Sequence, residues 1–178
     1  GLWEHSLTRE RCGLLLGNLS FPTRRSNALT LPHYQRVWED KLRHELQRPD
    51  FHLPHALPDA PRVAYPEALQ TASEPVRFVA EKLGLHEFSF ALDAACASSL
   101  YALKLACHAL HAGTTDLMLA GAVSAADPFF IHSGFSLLQA FPEGDGESRP
   151  LDAQSQGLYA SEGAGMVVLK RLSDARRD

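Results

Sequence analysis

An apolar run that feeds straight into a long uninterrupted helix, with a cysteine at the joint, constrains this chain more than any other stretch. Phe88, Phe90 and Leu92 alternate with Ser89 and Ala91, the period-two pattern of a buried strand. From Cys96 to His111 there is neither glycine nor proline, and Gly113 follows, which predicts a helix that stops there. Cys96 therefore falls at a strand-to-helix turn. Unpaired amides and the positive end of the helix dipole favour a thiolate at such a place, and a backbone N–H of the same turn can stabilise the oxyanion of an attacked thioester. Spacing alone leaves a second reading open. Cys96, Leu100, Leu103, Cys107 and Leu110 recur at intervals of four and three, so one apolar stripe would make Cys96 merely the first core residue of the helix.

The rest of the chain alternates between helical and strand-like segments. Residues 1–11 read as the end of an exposed helix or a turn, and Cys12-Gly13-Leu14-Leu15-Leu16 is an apolar run of buried-strand length closed by Gly17-Asn18. Phe21 to Asn27 reads as a polar turn. Tyr34, Trp38, Leu42 and Leu46 recur every fourth residue and predict an amphipathic helix over 33–47, stopped by Pro49. Residues 49–66 are an irregular, proline-rich connection, expected to be a surface excursion or a lid over a neighbouring subunit or acyl tunnel. Ser73, Glu74 and Pro75 open a helix over 74–83 that Gly84 closes, and it leads into the strand over 87–92. Asp116 to Gly121 is a further buried strand. Ala122 to Pro150 shows little periodicity, yet Phe129, Phe130, Phe135, Leu137, Leu138 and Phe141 require it to pack against something. The run from Gly163 to Leu172 reads as a strand whose entrance glycines permit close backbone approach. Helices alternating with short apolar strands argue an α/β fold, a layered sheet with helices on its faces.

Composition excludes several classes. The chain has 178 residues, 45% hydrophobic and 21% charged, and carries a net charge of −4 with only scattered basic pairs. That fits a globular domain and gives no footprint for nucleic acid. No apolar run reaches the length of a membrane span. The three cysteines are too few and odd in number for a disulfide framework, which points to a reducing, cytoplasmic setting. Cys107, His108 and His111 sit close in sequence, but Cys107 points with the leucine stripe and the two histidines with Lys104, so no metal site is expected. Gly13 with Gly17 is followed by no Gly-Lys-Ser or Gly-Lys-Thr, Gly163 with Gly165 lacks a third glycine, and no Gly-x-Ser-x-Gly elbow occurs. Phosphate-loop, dinucleotide and serine-hydrolase readings therefore have no support.

The string Asp93-Ala94-Ala95-Cys96-Ala97-Ser98-Ser99-Leu100 resembles the nucleophile motif of the β-ketoacyl synthases, the condensing enzymes of fatty acid and polyketide synthesis. Asp116-Leu117-Met118-Leu119-Ala120-Gly121-Ala122-Val123-Ser124, Gly134-Phe135-Ser136, Arg149-Pro150-Leu151-Asp152 and the run Glu162 to Leu172 follow in that family's order. Gly17-Asn18-Leu19-Ser20-Phe21-Pro22 and Ala125-Ala126-Asp127-Pro128-Phe129-Phe130-Ile131 look most like the ketosynthase of polyunsaturated fatty acid synthases. The resemblance implies a thiolase-like layered fold, of which residues 1–178 would be a partial N-terminal domain lacking the opening strand and the C-terminal half. It implies Cys96 as the catalytic nucleophile and Phe135 as a substrate-binding residue lining the acyl pocket. It implies no bound cofactor, and action on phosphopantetheine-linked acyl groups of an acyl carrier protein. The expected setting is a homodimer within a multidomain megasynthase. Arg149, Asp152 and Glu162 fall at positions read as loop-orienting, and Gln156 stands where many relatives have aspartate. The family's two later histidines and its lysine are not matched, since none of the nine histidines here is followed by Gly-Thr. The fragment alone is therefore not expected to complete a condensation. Two other classes remain: a thiolase-type acyltransferase, and a non-catalytic partner resembling a chain-length factor.

Overall fold

The computed structural model describes residues 9–53, 72–85, 88–144 and 146–178. They fall into two compact units, Gly1–Phe21 with Thr71–Asp178, and Pro22–Gln70. Helix α1, Arg24–Glu45, belongs to the smaller of the two. The larger unit is built around strand β1, Cys12–Gly17, whose six residues are all buried. Two parallel neighbours flank it: β2, Ser89–Leu92, on one side and β3, Leu117–Ser124, on the other. Strand β4, Gly163–Leu169, adds antiparallel to β3, giving the order β2-β1-β3-β4.

Burial on both faces explains why β1 is apolar without alternation. Cys12, Leu14 and Leu16 point one way and pack with Leu119, Val76 and Leu85, where Val76 belongs to helix α2, Glu74–Leu83. Leu15 points the other way and packs with Met118, Ala120, Ala102, Ala106, Ala109 and Leu110, the last four on helix α3, Ser98–His111. Helix, sheet and helix thus form three layers, as the alternation of segments predicts. Burying Leu14, Leu15 and Leu16 contributes about 2 kcal/mol each. Helix α2 begins at Ser73, in the N-cap position but without a side-chain capping bond, and ends at Gly84 in the left-handed conformation, φ 66°.

Several expectations are corrected. The stripe on α3 meets the core only at Leu103 and Leu110: Cys96 and Cys107 are exposed and Leu100 is 67% exposed. The buried face is Ser98, Ala102, Ala106, Ala109 and Leu110, because small side chains let the helix lie close against the sheet. The segment around Phe90 is an edge strand rather than a buried one, with Phe88 and Phe90 each 38% exposed. Strand β3 runs three residues past Gly121, since β4 pairs with it as far as Ser124. Close approach is required at Gly121, not at the β4 glycines. A Cβ at Gly121 would lie 2.0 Å from the Gly165 carbonyl oxygen, whereas one at Gly163 or Gly165 would meet nothing within 4 Å. The stretch after β3 contains helix α4, Pro128–Leu137. Its start was legible in Asp127-Pro128: the Asp127 carboxylate accepts the Phe130 amide at 3.1 Å and proline occupies the first turn. Phe129 and Leu137 on it are 82% and 86% exposed. Strand β4 leads into a short helix α5, Leu172–Arg177.

In the smaller unit, α1 begins nine residues before the expected start, inside the stretch read as a turn. Thr23 and Ser26 form a reciprocal cap there: the Ser26 amide donates to Thr23 Oγ1 at 3.1 Å and the Thr23 amide to Ser26 Oγ at 2.7 Å. The helix ends at Leu46, with Gln47 left-handed at φ 52°, ahead of Pro49. Tyr34, Trp38 and Leu46 are half exposed. Residues 51–53 fold back along the helix, where Arg43 Nε donates to the Phe51 carbonyl and the Leu53 amide to Glu39. The remainder of the proline-rich connection, residues 54–71, together with the start of the chain, 1–8, lies outside the described residues.

Candidate active site

The carboxyl ends of β1, β2 and β3 lie at one edge of the sheet, where crevices for ligands form in open α/β sheets. From them run the 18–21 loop, the Cys96 turn, and the 125–127 loop that leads into α4. The Cys96 turn is sharp. Ala95 is left-handed at φ 49°, a conformation that costs a residue with a Cβ about 1 kcal/mol or more. Three groups hold it there. The Asp93 carboxylate accepts the Ala95 amide at 3.0 Å on one oxygen and the Ser20 amide at 2.9 Å on the other. Ser98, only 2% exposed, accepts the Ala94 amide at 2.9 Å and donates to the Ala95 carbonyl at 2.6 Å through the same hydroxyl. The Ala97 and Ser98 amides close the turn onto the Ala94 and Ala95 carbonyls.

Gly17 completes the support from below. A Cβ there would come within 2.7–2.9 Å of Ser98 C, Ser98 Cβ and Ser99 N, so only glycine lets the start of α3 rest on the end of β1. The outcome is an exposed Cys96 thiol immediately before a helix start, with the backbone under it fixed. The core-residue reading of Cys96 is thereby overturned. The three thiols differ sharply in setting. Burial pushes the Cys12 thiol up to about 11, while Cys96 and Cys107 are open to solvent. Hydrogen bonds from the Ser20 and then the Ala95 amide hold the Asp93 carboxyl below its ordinary range.

Phe135 sits on α4, partly buried, its ring edge-on to Phe141 at 6.2 Å, and His132 stacks on the same Phe141 at 5.3 Å. Helix α4 is tied back toward the Cys96 turn through the 18–21 loop, since Phe21 packs on Phe130 at 5.4 Å one residue after the Ser20 amide that Asp93 holds. Arg149 and Asp152 organise their own loop. The Arg149 amide donates to Ser155 Oγ, its guanidinium pairs with Glu147, and Asp152 accepts the Gln154 amide. Sequence reasoning missed the supporting roles of Asp93, Ser98 and Gly17. Their partners lie on other segments or depend on the path of the turn, and the only local signals were an acid three residues before the cysteine and a glycine at a strand end.

Comparison with known proteins agrees with this geometry. The model of the family described as "Beta-ketoacyl synthase, N-terminal domain" matches residues 59–175. Among relatives, the chain is 42% identical over 172 residues to a polyunsaturated fatty acid synthase polypeptide of a Thraustochytrium species, covering 94% of this chain and 8% of that protein. It is 46% identical over 100 residues to the PKS-NRPS hybrid synthetase ATPKS of Aspergillus niger, covering 56% of this chain and 5% of that one. Among solved structures, a PfaC keto synthase-chain length factor superposes with TM-score 0.80 at 50% identity, covering 99% of this chain and 19% of that one. An oxazolomycin ketosynthase domain of Streptomyces albus superposes with TM-score 0.59 at 26% identity, covering 97% and 26%. The chain thus spans less than a tenth of the length of these curated relatives. A matched region that includes the Cys96 turn, on a thiolase-like sheet shared with solved ketosynthases, shows that this chain belongs to the β-ketoacyl synthase family.

Proposed function

We propose that this chain supplies the acyl-accepting nucleophile of a decarboxylating condensing enzyme in fatty acid or polyketide synthesis. The observation that carries the reading is the exposed Cys96 thiol on a braced turn at the start of α3. The Cys96 thiolate attacks the carbonyl of an acyl thioester on the phosphopantetheine arm of an acyl carrier protein. The carrier thiol leaves with a proton, and the acyl group remains on Cys96 Sγ. An amide for the oxyanion of that step is the one belonging to Cys96 itself, because those of Ala97 and Ser98 are taken by Ala94 and Ala95. A malonyl-type thioester then loses CO₂, its carbanion attacks the Cys96-bound carbonyl, a carbon–carbon bond forms and the thiolate is released.

None of the nine histidines is followed by Gly-Thr, so acyl loading alone is proposed for these residues, and the complete reaction only for a protein that also supplies the family's two histidines. Phe135, on the helix that follows β3, lines the acyl pocket in this reading. In this reading the synthase is multidomain, homodimeric and cytoplasmic; the length of the relatives supports the multidomain setting. Among the described residues no helix is long and apolar enough to cross a membrane.

One structural neighbour includes a chain length factor, which makes a non-catalytic partner the competing reading. Intact-mass measurement on the longer protein, incubated with an acyl-carrier thioester and compared with Cys96→Ala, separates the two. The expected result is one acyl adduct that the substitution abolishes. No adduct, or one that maps to Cys12 or Cys107, refutes the nucleophile and favours the partner reading.

A further inference from the structure

We propose that Asp93 is a positioning residue for Cys96, acting as a two-oxygen clamp that locks the nucleophile turn to the 18–21 loop. The proposal rests on the reading of Cys96 as the nucleophile and goes beyond it to what aims the thiol. The two carboxylate oxygens accept different amides, Ala95 at 3.0 Å and Ser20 at 2.9 Å, and Ser20 lies 73 residues before Asp93 in the chain. One of those amides belongs to the residue that must stay left-handed, Ala95 at φ 49°. The other belongs to the loop whose next residue, Phe21, packs on α4. A single carboxylate therefore couples the turn carrying the thiol to the helix carrying Phe135.

The choice of a carboxylate at this position is explained by its two acceptor oxygens. An amide side chain of the same size offers one oxygen and one NH₂, so asparagine would satisfy a single amide and set a donor against the other. Only a carboxylate serves both. Ser98 reinforces the turn from inside, bridging the Ala94 amide and the Ala95 carbonyl; the Asn18 amide donates to the Leu92 carbonyl at 2.9 Å at the root of the 18–21 loop, and Asp93 carries the tie onward to Ser20 and into the turn.

Charge and position make opposite predictions for Asp93→Asn in the full-length protein. Two rates are read across pH: alkylation of Cys96 by iodoacetamide, which needs only an exposed thiolate, and acyl loading from a carrier thioester, which also needs the thiol aimed. Positioning predicts that loading falls on the order of tenfold, as sub-ångström misplacement does. Alkylation then changes far less. A charge effect alone predicts that both rates rise with a lower midpoint, and that result overturns the proposal. So does unchanged loading. A merely structural role predicts that both rates fall together with the thermal midpoint, which also overturns it.

Asp93→Glu keeps both oxygens and the charge, and is expected to load faster than Asp93→Asn. A glutamate variant no better than asparagine refutes the acceptor-count argument. If the asparagine variant does not fold, the glutamate variant still decides: loading must fall more than alkylation, and equal losses refute the clamp. Should wild-type Cys96 fail to accept an acyl group at all, the nucleophile reading falls and the clamp falls with it; a wild type that loads beside an Asp93→Asn variant that loads equally well refutes the clamp alone.

Discussion

Replacing Gly17 by alanine tests how tightly the Cys96 turn is supported from the sheet. The added Cβ would lie 2.7 Å from Ser98 C, 2.8 Å from Ser98 Cβ and 2.9 Å from Ser99 N. Ordinary contact begins near 3.4 Å, so the start of α3 must retreat by about 0.7 Å, the difference 3.4 − 2.7. Two of the three atoms are backbone, and Ser98 is held by hydrogen bonds to Ala94 and Ala95, so no side chain can swing away to absorb the strain. Overpacking of this kind costs about 1–3 kcal/mol. The opposing gain, loss of glycine's freedom in the unfolded chain, is only about 0.4–1 kcal/mol. Destabilisation therefore wins. Cys96 lies in the turn that must move, and a shift of that size is expected to slow acyl loading roughly tenfold. Thermal or urea unfolding gives the first quantity and time-resolved intact mass the second, both on the full-length protein. A Gly17→Ala variant that unfolds at the wild-type midpoint and loads at the wild-type rate would refute the close seating of α3 on β1.

Two further outcomes are expected. At about pH 8, near the ordinary pKa of a free thiol, brief iodoacetamide treatment of the native protein followed by peptide mapping should label Cys96 and Cys107, which are exposed, and spare Cys12. Burial raises the Cys12 thiol to about 11, so labelling of Cys12 at a comparable rate would mean β1 is not in the core. Arg171 donates to the Leu110 and Thr115 carbonyls at 2.9 Å each and pairs with Asp116 and Asp174, locking the C-terminal end of α3 to the segment after β4. Hydrogen bonds from Arg11 and then Arg171 lower the Asp116 carboxyl to about 2. A carboxylate so depressed adds stability that is complete above its unfolded value, near 4, and lost as pH falls through about 2. Arg171→Met should lower the thermal midpoint by several degrees at about pH 7 and unfold at a higher pH than wild type in acid titration. Identical acid midpoints would show that solvent screening of this partly exposed pair leaves it without weight.

Local pattern was enough for part of this protein. Strand β1 and helix α2 follow from apolar runs, Pro75 and Gly84. The strand-turn-helix around Cys96 follows from an apolar alternation and a helix free of glycine and proline, signals that act over neighbouring residues and survive without tertiary context. The start of α1 at Thr23 and of α4 at Asp127 was equally local, written in a reciprocal cap and in an Asp-Pro pair, and was overlooked because the stretches around them lack apolar periodicity. The Pro-rich segment offered no period to read.

Other features were decided only when distant segments met. Nothing along the chain told which face of α3 is buried, because leucine and cysteine make the more hydrophobic stripe while Ala102, Ala106 and Ala109 make the closer contact, and packing against a sheet rewards fit as well as apolarity. The edge position of β2, which leaves Phe88 and Phe90 part exposed, depends on strand order. The same holds for Gly121 under Gly165 and for Gly17 under Ser98, contacts in which the absent side chain matters. The cysteine proposed as nucleophile could be found from its neighbours in sequence. The turn that presents it is held by an aspartate reaching an amide on another strand's loop, and such a bond exists only after the sheet has brought β1 and β2 side by side.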